Sequence, residues 1–182
     1  MDPCTQGLLG AGLASSFAKK DQLKIAIISG GIGGMAPDLD ILIRSSNDSL
    51  LFIEYHRHFT HSIAFSPLGG MIVTLLLYVF FKKKTSFKYL YFFTTLGFFT
   101  HGLLDACTSY GTTLFWPISD YRVAWNIISI IDPVYTLSLI ISIILCLKYK
   151  SIFLLRLGLI FSFAYLALGL IKHQKTLNYI RI

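Results

Sequence analysis

The chain has 182 residues, of which 54% are hydrophobic and only 14% charged. A soluble domain carries about 25% charged residues, so the composition excludes an ordinary water-facing globule and predicts an all-α polytopic membrane bundle, a single membrane-embedded domain over residues 1–182. The 16 Lys+Arg exceed the 9 Asp+Glu, but the lysines sit between apolar runs and form no basic stripe with interleaved aromatics, which removes nucleic acid as a partner. Cys4, Cys107 and Cys146 are too scattered for a disulfide framework or a thiolate zinc site. The opening Met1-Asp2-Pro3 is acidic and lacks a cleavage site, so no cleavable signal peptide is expected.

In chain order, residues 5–18 are apolar and rich in small side chains, Lys19, Lys20 and Lys24 follow, and 23–36 is glycine-rich. Each run falls short of the roughly 20 residues of a comfortable span, and small residues let helix backbones approach closely. A tight, partly embedded helical hairpin is therefore predicted. Pro37-Asp38-Leu39-Asp40 ends it, and a polar loop, Arg44 to Asp48, leads to Glu54-Tyr55-His56-Arg57-His58-Phe59-Thr60-His61-Ser62. Spans are predicted over 63–81, 89–106, 133–147 and 152–171, with a connector over 107–131 and a short polar tail over 172–182. That makes about four spanning helices plus the hairpin. The run Gly30-Gly31-Ile32-Gly33-Gly34 lacks the Lys-Ser/Thr ending of a phosphate loop and reads as packing.

Threaded alternately through a bilayer, the helices place Lys19, Lys20, Lys24, Lys82, Lys83, Lys84, Lys88, Lys148 and Lys150 on one face, with the single acid Asp21. The other face receives Asp38, Asp40, Asp48, Glu54, Asp105, Asp120 and Asp132, with Arg44, Arg57 and Arg122 in its loops. The positive-inside rule makes the lysine face cytoplasmic, against which only Lys172, Lys175 and Arg181 of the tail count. The acids and histidines are then expected on the extracytoplasmic face of a multi-pass inner-membrane protein.

Asp38, Asp40, His56, His58, His61, His101, Asp105 and Asp132 are distant in sequence but share that face. Ionisable groups near hydrocarbon tend to be functional. His101 and Asp105, at i and i+4 on one helix, point the same way and can hold one divalent ion, or two with the carboxylate bridging. The metal donors expected are Asp38, Asp40, His61, His101 and Asp105, with His56 and Asp132 as further ligands or behind them. Asp132, before Pro133, also reads as a helix N-cap, and His58 as a solvent-facing ring. Sulfur-free His/Asp donors suit zinc, manganese, iron or magnesium, and donor type alone does not choose among them. Arg57 is suited to an anionic group in a bidentate fork, or to anchoring a lipid headgroup.

With these residues the chain resembles the YdjM-like inner-membrane proteins, predicted membrane-bound metal-dependent hydrolases. The resemblance rests on Met1-Asp2-Pro3, Pro37-Asp38-Leu39-Asp40, His56-Arg57-x-x-Thr60-His61-Ser62, His101-x-x-x-Asp105 with Thr108-Ser109-Tyr110-Gly111-Thr112, and Ile131-Asp132-Pro133. The family's similarity to zinc-dependent phospholipases C implies zinc and phosphoester hydrolysis, with His101 and Asp105 as metal ligands. One departure is Gln6, where the family usually has histidine after Asp-Pro-x-Thr; a neutral amide is a poorer ligand than imidazole.

The function expected is hydrolysis of a phosphoester in a phospholipid or lipid-linked phosphate by metal-activated water. Asp38 or Asp40 would act as ligand or general base, and Arg57 would hold the anion. The alternative is a divalent-cation transporter or sensor that breaks no bond. Transporters usually place charges near the midplane within discontinuous helices, whereas here the candidates gather at one mouth. Trp116, Trp125, Tyr110 and Tyr121 in the connector favour the headgroup layer, so membrane lipids are the expected partners.

Overall fold

The computed structural model describes residues 1–43 and 54–180. The polar loop Arg44 to Asp48 and the tail's Arg181 lie outside the described residues. Among the described residues six α-helices carry the fold: α1 (Pro3–Ser16), α2 (Leu23–Met35), α3 (Ser66–Phe81), α4 (Phe87–Ala106), α5 (Pro133–Tyr149) and α6 (Ile152–Ile180). Two short 3-10 turns, Ala36–Leu42 and Phe59–His61, fall between α2 and α3. No strand occurs among the described residues; Thr112 and Val123 form one isolated antiparallel bridge in the connector.

Local chemistry sets the helix starts. Asp2 accepts from the Thr5 amide at 2.9 Å and from the Thr5 hydroxyl at 2.6 Å, and Pro3 follows in the first turn, where a missing N–H costs nothing. The same pair recurs at α5, where Asp132 accepts from the Tyr135 amide at 3.0 Å ahead of Pro133. The apolar run beginning at Ile63 turns helical only at Ser66, because Pro67 takes the first turn.

α1 and α2 pack backbone against backbone. A Cβ added at Gly30 would stand 2.6 Å from the Gly10 carbonyl oxygen, and one at Gly34 would stand 2.6 Å from that of Gln6. α4 joins at the same level, with the Gly97 Cα 3.1 Å from a Cβ placed on Gly10. Side chains of any size would hold these helices apart. On the other side of α1, Leu9, Leu104, Tyr135, Leu139 and Leu159 form a buried cluster joining α1, α4, α5 and α6.

Two features differ from the sequence expectation. α2 runs directly into the turn Ala36–Leu42, so Leu23–Leu42 is long and apolar enough to cross a membrane, although 23–36 alone is not. The tail expected after residue 171 is instead the last turns of α6; its lysines end the apolar run but not the helix. Ile152–Tyr179 is the second stretch of spanning length and composition, while Ser66–Phe81 and Pro133–Tyr149 are apolar but shorter. Leu76, Val79 and Phe80 on α3, and Phe153, Ile160 and Phe161 on α6, are exposed. Apolar surface on that scale marks a membrane-facing or protein-facing contact, not a water-facing one.

Candidate metal centre

Four side chains from three segments converge. Asp38 comes from the turn that continues α2, His61 from the turn before α3, and His101 and Asp105 from α4; their donor atoms all lie within 4.8 Å of one another. His61 Nε2 and His101 Nε2 are 2.9 Å apart. Asp38 Oδ1 is 3.3 Å from His101 Nε2 and 3.6 Å from His61 Nε2. Asp105 Oδ2 is 3.3 Å from His61 Nε2 and 3.6 Å from His101 Nε2. A tetrahedral ion with bonds near 2.0–2.1 Å separates its ligand atoms by about 3.3 Å, and these spacings bracket that value.

The proton positions point the same way. His101 Nδ1 lies 2.6 Å from the Gly34 carbonyl oxygen, which can only accept, so Nδ1 carries the proton and Nε2 turns its lone pair to the group. His61 Nδ1 faces Asp40 Oδ2 at 3.3 Å and Thr60 Oγ1 at 3.0 Å, which likewise leaves Nε2 for the group. Backing a ligand imidazole with a carboxylate or carbonyl fixes its tautomer and orientation. Two imidazole lone pairs and two carboxylate oxygens therefore face one another, with three of the four side chains fully buried and Asp38 17% exposed. Asp105 Oδ2 is buried with no hydrogen-bond partner. Such a concentration of electron density suits a divalent cation.

Asp40 stands behind this group. Its Oδ1 meets His56 Nδ1 at 2.9 Å, and its Oδ2 accepts from the Arg57 amide at 2.9 Å and the Thr60 hydroxyl at 3.1 Å, besides facing His61. His56 is thus one step further out, paired with Asp40 instead of joining the four donors. Asp132 is elsewhere: it caps α5 and accepts from the Tyr165 hydroxyl at 2.9 Å, so the capping reading describes it. His58 packs its ring among Tyr55, Phe59 and Trp116.

Gln6 lies fully buried against the group's far edge, donating to Asp105 Oδ1 at 2.9 Å. The Met1 amino group also contacts that oxygen. Asp105 therefore offers Oδ2 to the group while Oδ1 is held by donors. Cys107, two residues after Asp105, is not a competing ligand. Burial, with the Asp105 charge adding to it, pushes the Cys107 thiol up to about 12 and keeps it neutral.

Arg57 borders the group. Its Nε is 3.2 Å from Asp105 Oδ2, Nη1 donates to Thr108 Oγ1 at 3.3 Å, and the guanidinium lies 4.8 Å from the Tyr110 ring centre. It is 6% exposed, and its φ of 59° is the left-handed conformation that costs a non-glycine residue about 1 kcal/mol or more. The connector holds it there: the Arg57 carbonyl accepts from the Thr112 hydroxyl at 3.2 Å and the Thr113 amide at 3.3 Å. Gly111, at φ 69°, supplies the turn between Tyr110 and Thr112. The Thr108-Ser109-Tyr110-Gly111-Thr112 stretch thus seats an arginine, a role its composition does not announce. Thr60 and the Gly34 carbonyl were also not legible as site groups, the second because it is main chain and has no residue signature.

Fold and site together define a helical membrane protein with a buried His/Asp group that could hold a metal ion. The chain belongs to the family described as YdjM inner membrane protein, which it matches over residues 1–176. Over 101 residues it is 34% identical to a Bacillus subtilis (strain 168) protein named "Uncharacterized protein YfhP"; the match covers 56% of this chain and 30% of that relative. No solved structure matches the chain.

Proposed function

We propose that this chain is a membrane-bound metal-dependent hydrolase that cleaves a phosphoester in a phospholipid or lipid-linked phosphate. The observation that carries the reading is the convergence of the Asp38, His61, His101 and Asp105 donor atoms beside a buried arginine. His61, His101 and Asp105 would hold one divalent ion, zinc in the first instance, with Asp38 as a fourth donor that would give way to water or substrate, since a site with four protein ligands is closed. When bound, the ion supplies Lewis-acid chemistry, polarising a phosphoryl oxygen and making water a stronger acid.

The chain's own side chains do the rest. Asp40 and the Gly34 carbonyl keep both imidazoles in the tautomer that presents Nε2. Arg57, fixed over Tyr110, binds a non-bridging oxygen of the substrate anion; a planar guanidinium suits phosphate better than an ammonium does. Asp38, the least buried donor, is the carboxylate that water and substrate reach; released from the ion, it would take the proton that the attacking water gives up and pass it to the leaving alcohol oxygen as the P–O bond breaks. Asp40 has both oxygens engaged, which leaves it the positioning task.

In this reading the whole chain is one membrane-embedded unit with about four spans, and it works with membrane lipids. The lysine-rich turns are cytoplasmic and the donor group lies at the extracytoplasmic face, where Trp116, Trp125, Tyr110 and Tyr121 mark the headgroup layer. The test is lipid mass spectrometry on purified protein in liposomes with added zinc, manganese or magnesium, alongside elemental analysis. The expected result is a new diacylglycerol or dephosphorylated carrier that is absent with His61→Ala. Bound metal with an unchanged lipid profile under every ion would leave a metal protein and remove the lipid hydrolase.

A further inference from the structure

An apolar cavity of about 450 Å³ lies between α2, the turn Ala36–Leu42 and α3. Ile32, Met35, Val73, Leu76 and Leu77 line it, and Asp38 is its one charged lining residue. The same Asp38 is a donor of the metal group and the only one of the four with an exposed side chain. The group therefore opens through Asp38, and what it opens into is hydrocarbon-lined. A second cavity, bounded by Leu9, Leu103, Trp125, Phe163 and Leu166, touches none of the four donors.

We propose that the cavity beside Asp38 is a slot for one hydrocarbon chain of a membrane lipid whose phosphate head reaches the metal group. That the bound lipid is also the substrate rests on the hydrolase reading above; that the slot is occupied does not. Its volume is within the ~300–1,000 Å³ of small-molecule sites. Its direction also fits a lipid. α3 starts near the donor group, and at 1.5 Å per residue Val73 and Leu77 lie about 10 and about 17 Å along it from Ser66. A chain hanging from a head at Asp38 descends along that line toward the bilayer middle. The wall is open sideways, since Met35, Leu39 and Leu76 are exposed, so a lipid enters from the bilayer without crossing water. A soluble phosphate ester would leave the slot unfilled.

The full-length protein is reconstituted in phosphatidylcholine vesicles containing phosphatidylglycerol with a diazirine in one acyl chain, irradiated, digested and mapped by mass spectrometry. Label is expected on Ile32, Val73, Leu76 and Leu77 at several times the level on Phe161 and Ile160, which face outward on α6. Filling the slot with Val73→Trp or Leu77→Trp should bring its label down to the α6 level with metal content unchanged. Equal labelling of slot and α6 in the unaltered protein means ordinary surrounding lipid and overturns the proposal, whatever the variants do. Concentrated label without any lipid product supports the slot and removes these two phospholipids as substrates; lipid product with uniform label removes the slot alone.

Discussion

The half of the molecule built from α1, α2 and α4 and the half built from α5 and α6 are both apolar and helical, yet they hold their carboxylates differently. In the first half glycines bring main chains together, and Asp105 ends up fully buried against two imidazoles, an amide and a guanidinium. In the second half larger side chains and hydroxyls make the contacts: Ser138 and Ser162 meet at 3.2 Å and Tyr165 reaches Asp132 at 2.9 Å. There the carboxylate caps a helix, and most of α6 faces outward. Close main-chain packing buries three of the four donors completely and lets all four aim at one another.

The largest effect expected from breaking this contrast is at the donors themselves. His101→Ala or Asp105→Ala should reduce bound metal to background and, on the proposed hydrolase function, lipid turnover by roughly a hundredfold or more, since Lewis-acid stabilisation amounts to several kcal/mol and each 1.36 kcal/mol is tenfold. Elemental analysis and product assay read both. Unchanged metal content in these variants would remove the centre. Next comes Asp40→Asn, which keeps the shape but weakens the hold on the His61 proton. Metal affinity should fall about 10- to 100-fold, as for other groups that orient a ligand imidazole, by competition with a chelator.

Gly34→Ala should come third. Its Cβ would meet the Gln6 carbonyl oxygen at 2.6 Å, so α1 and α2 must separate at a cost of about 1–3 kcal/mol, seen as a lower melting temperature in detergent. Phe161→Leu on the outward face of α6 should stay within about 0.5 kcal/mol. Equal losses in the two would erase the distinction between the halves. A smaller effect than at Gly34 is expected at Asp132→Ala, about 0.5–2 kcal/mol from the lost cap, with metal content as in the unaltered protein. A drop in metal there would return Asp132 to the ligand set.

Much of the site could be read from residue order, because His101 and Asp105 one helical turn apart need only a helix to point together. The helix-ending acids were harder. Asp38 and Asp40 sit in a 3-10 turn, which has about three residues per turn, so residues two apart point in different directions and only one can face the group. Nothing in Pro37-Asp38-Leu39-Asp40 says which. The end of the last helix was misplaced for a different reason: hydropathy falls at Lys172 and Lys175, but lysine is a good helix former and α6 continues. The length of α2 was hidden because Pro37 looks like a stop, whereas in the structure it opens a tighter turn along the same line.

The acceptor that orients His101 is a main-chain oxygen, Gly34 of α2, and this has a genetic consequence. A substitution at a side-chain acceptor deletes the hydrogen bond outright. Here no replacement at residue 34 removes the oxygen; the bond is lost only if α2 shifts along or away from α4. The proton of the His101 imidazole is in effect indexed to the register of two helices. Mutational damage to this contact should therefore map to the glycine surfaces, that of Gly34 itself included, that set how α2 lies against α1 and α4.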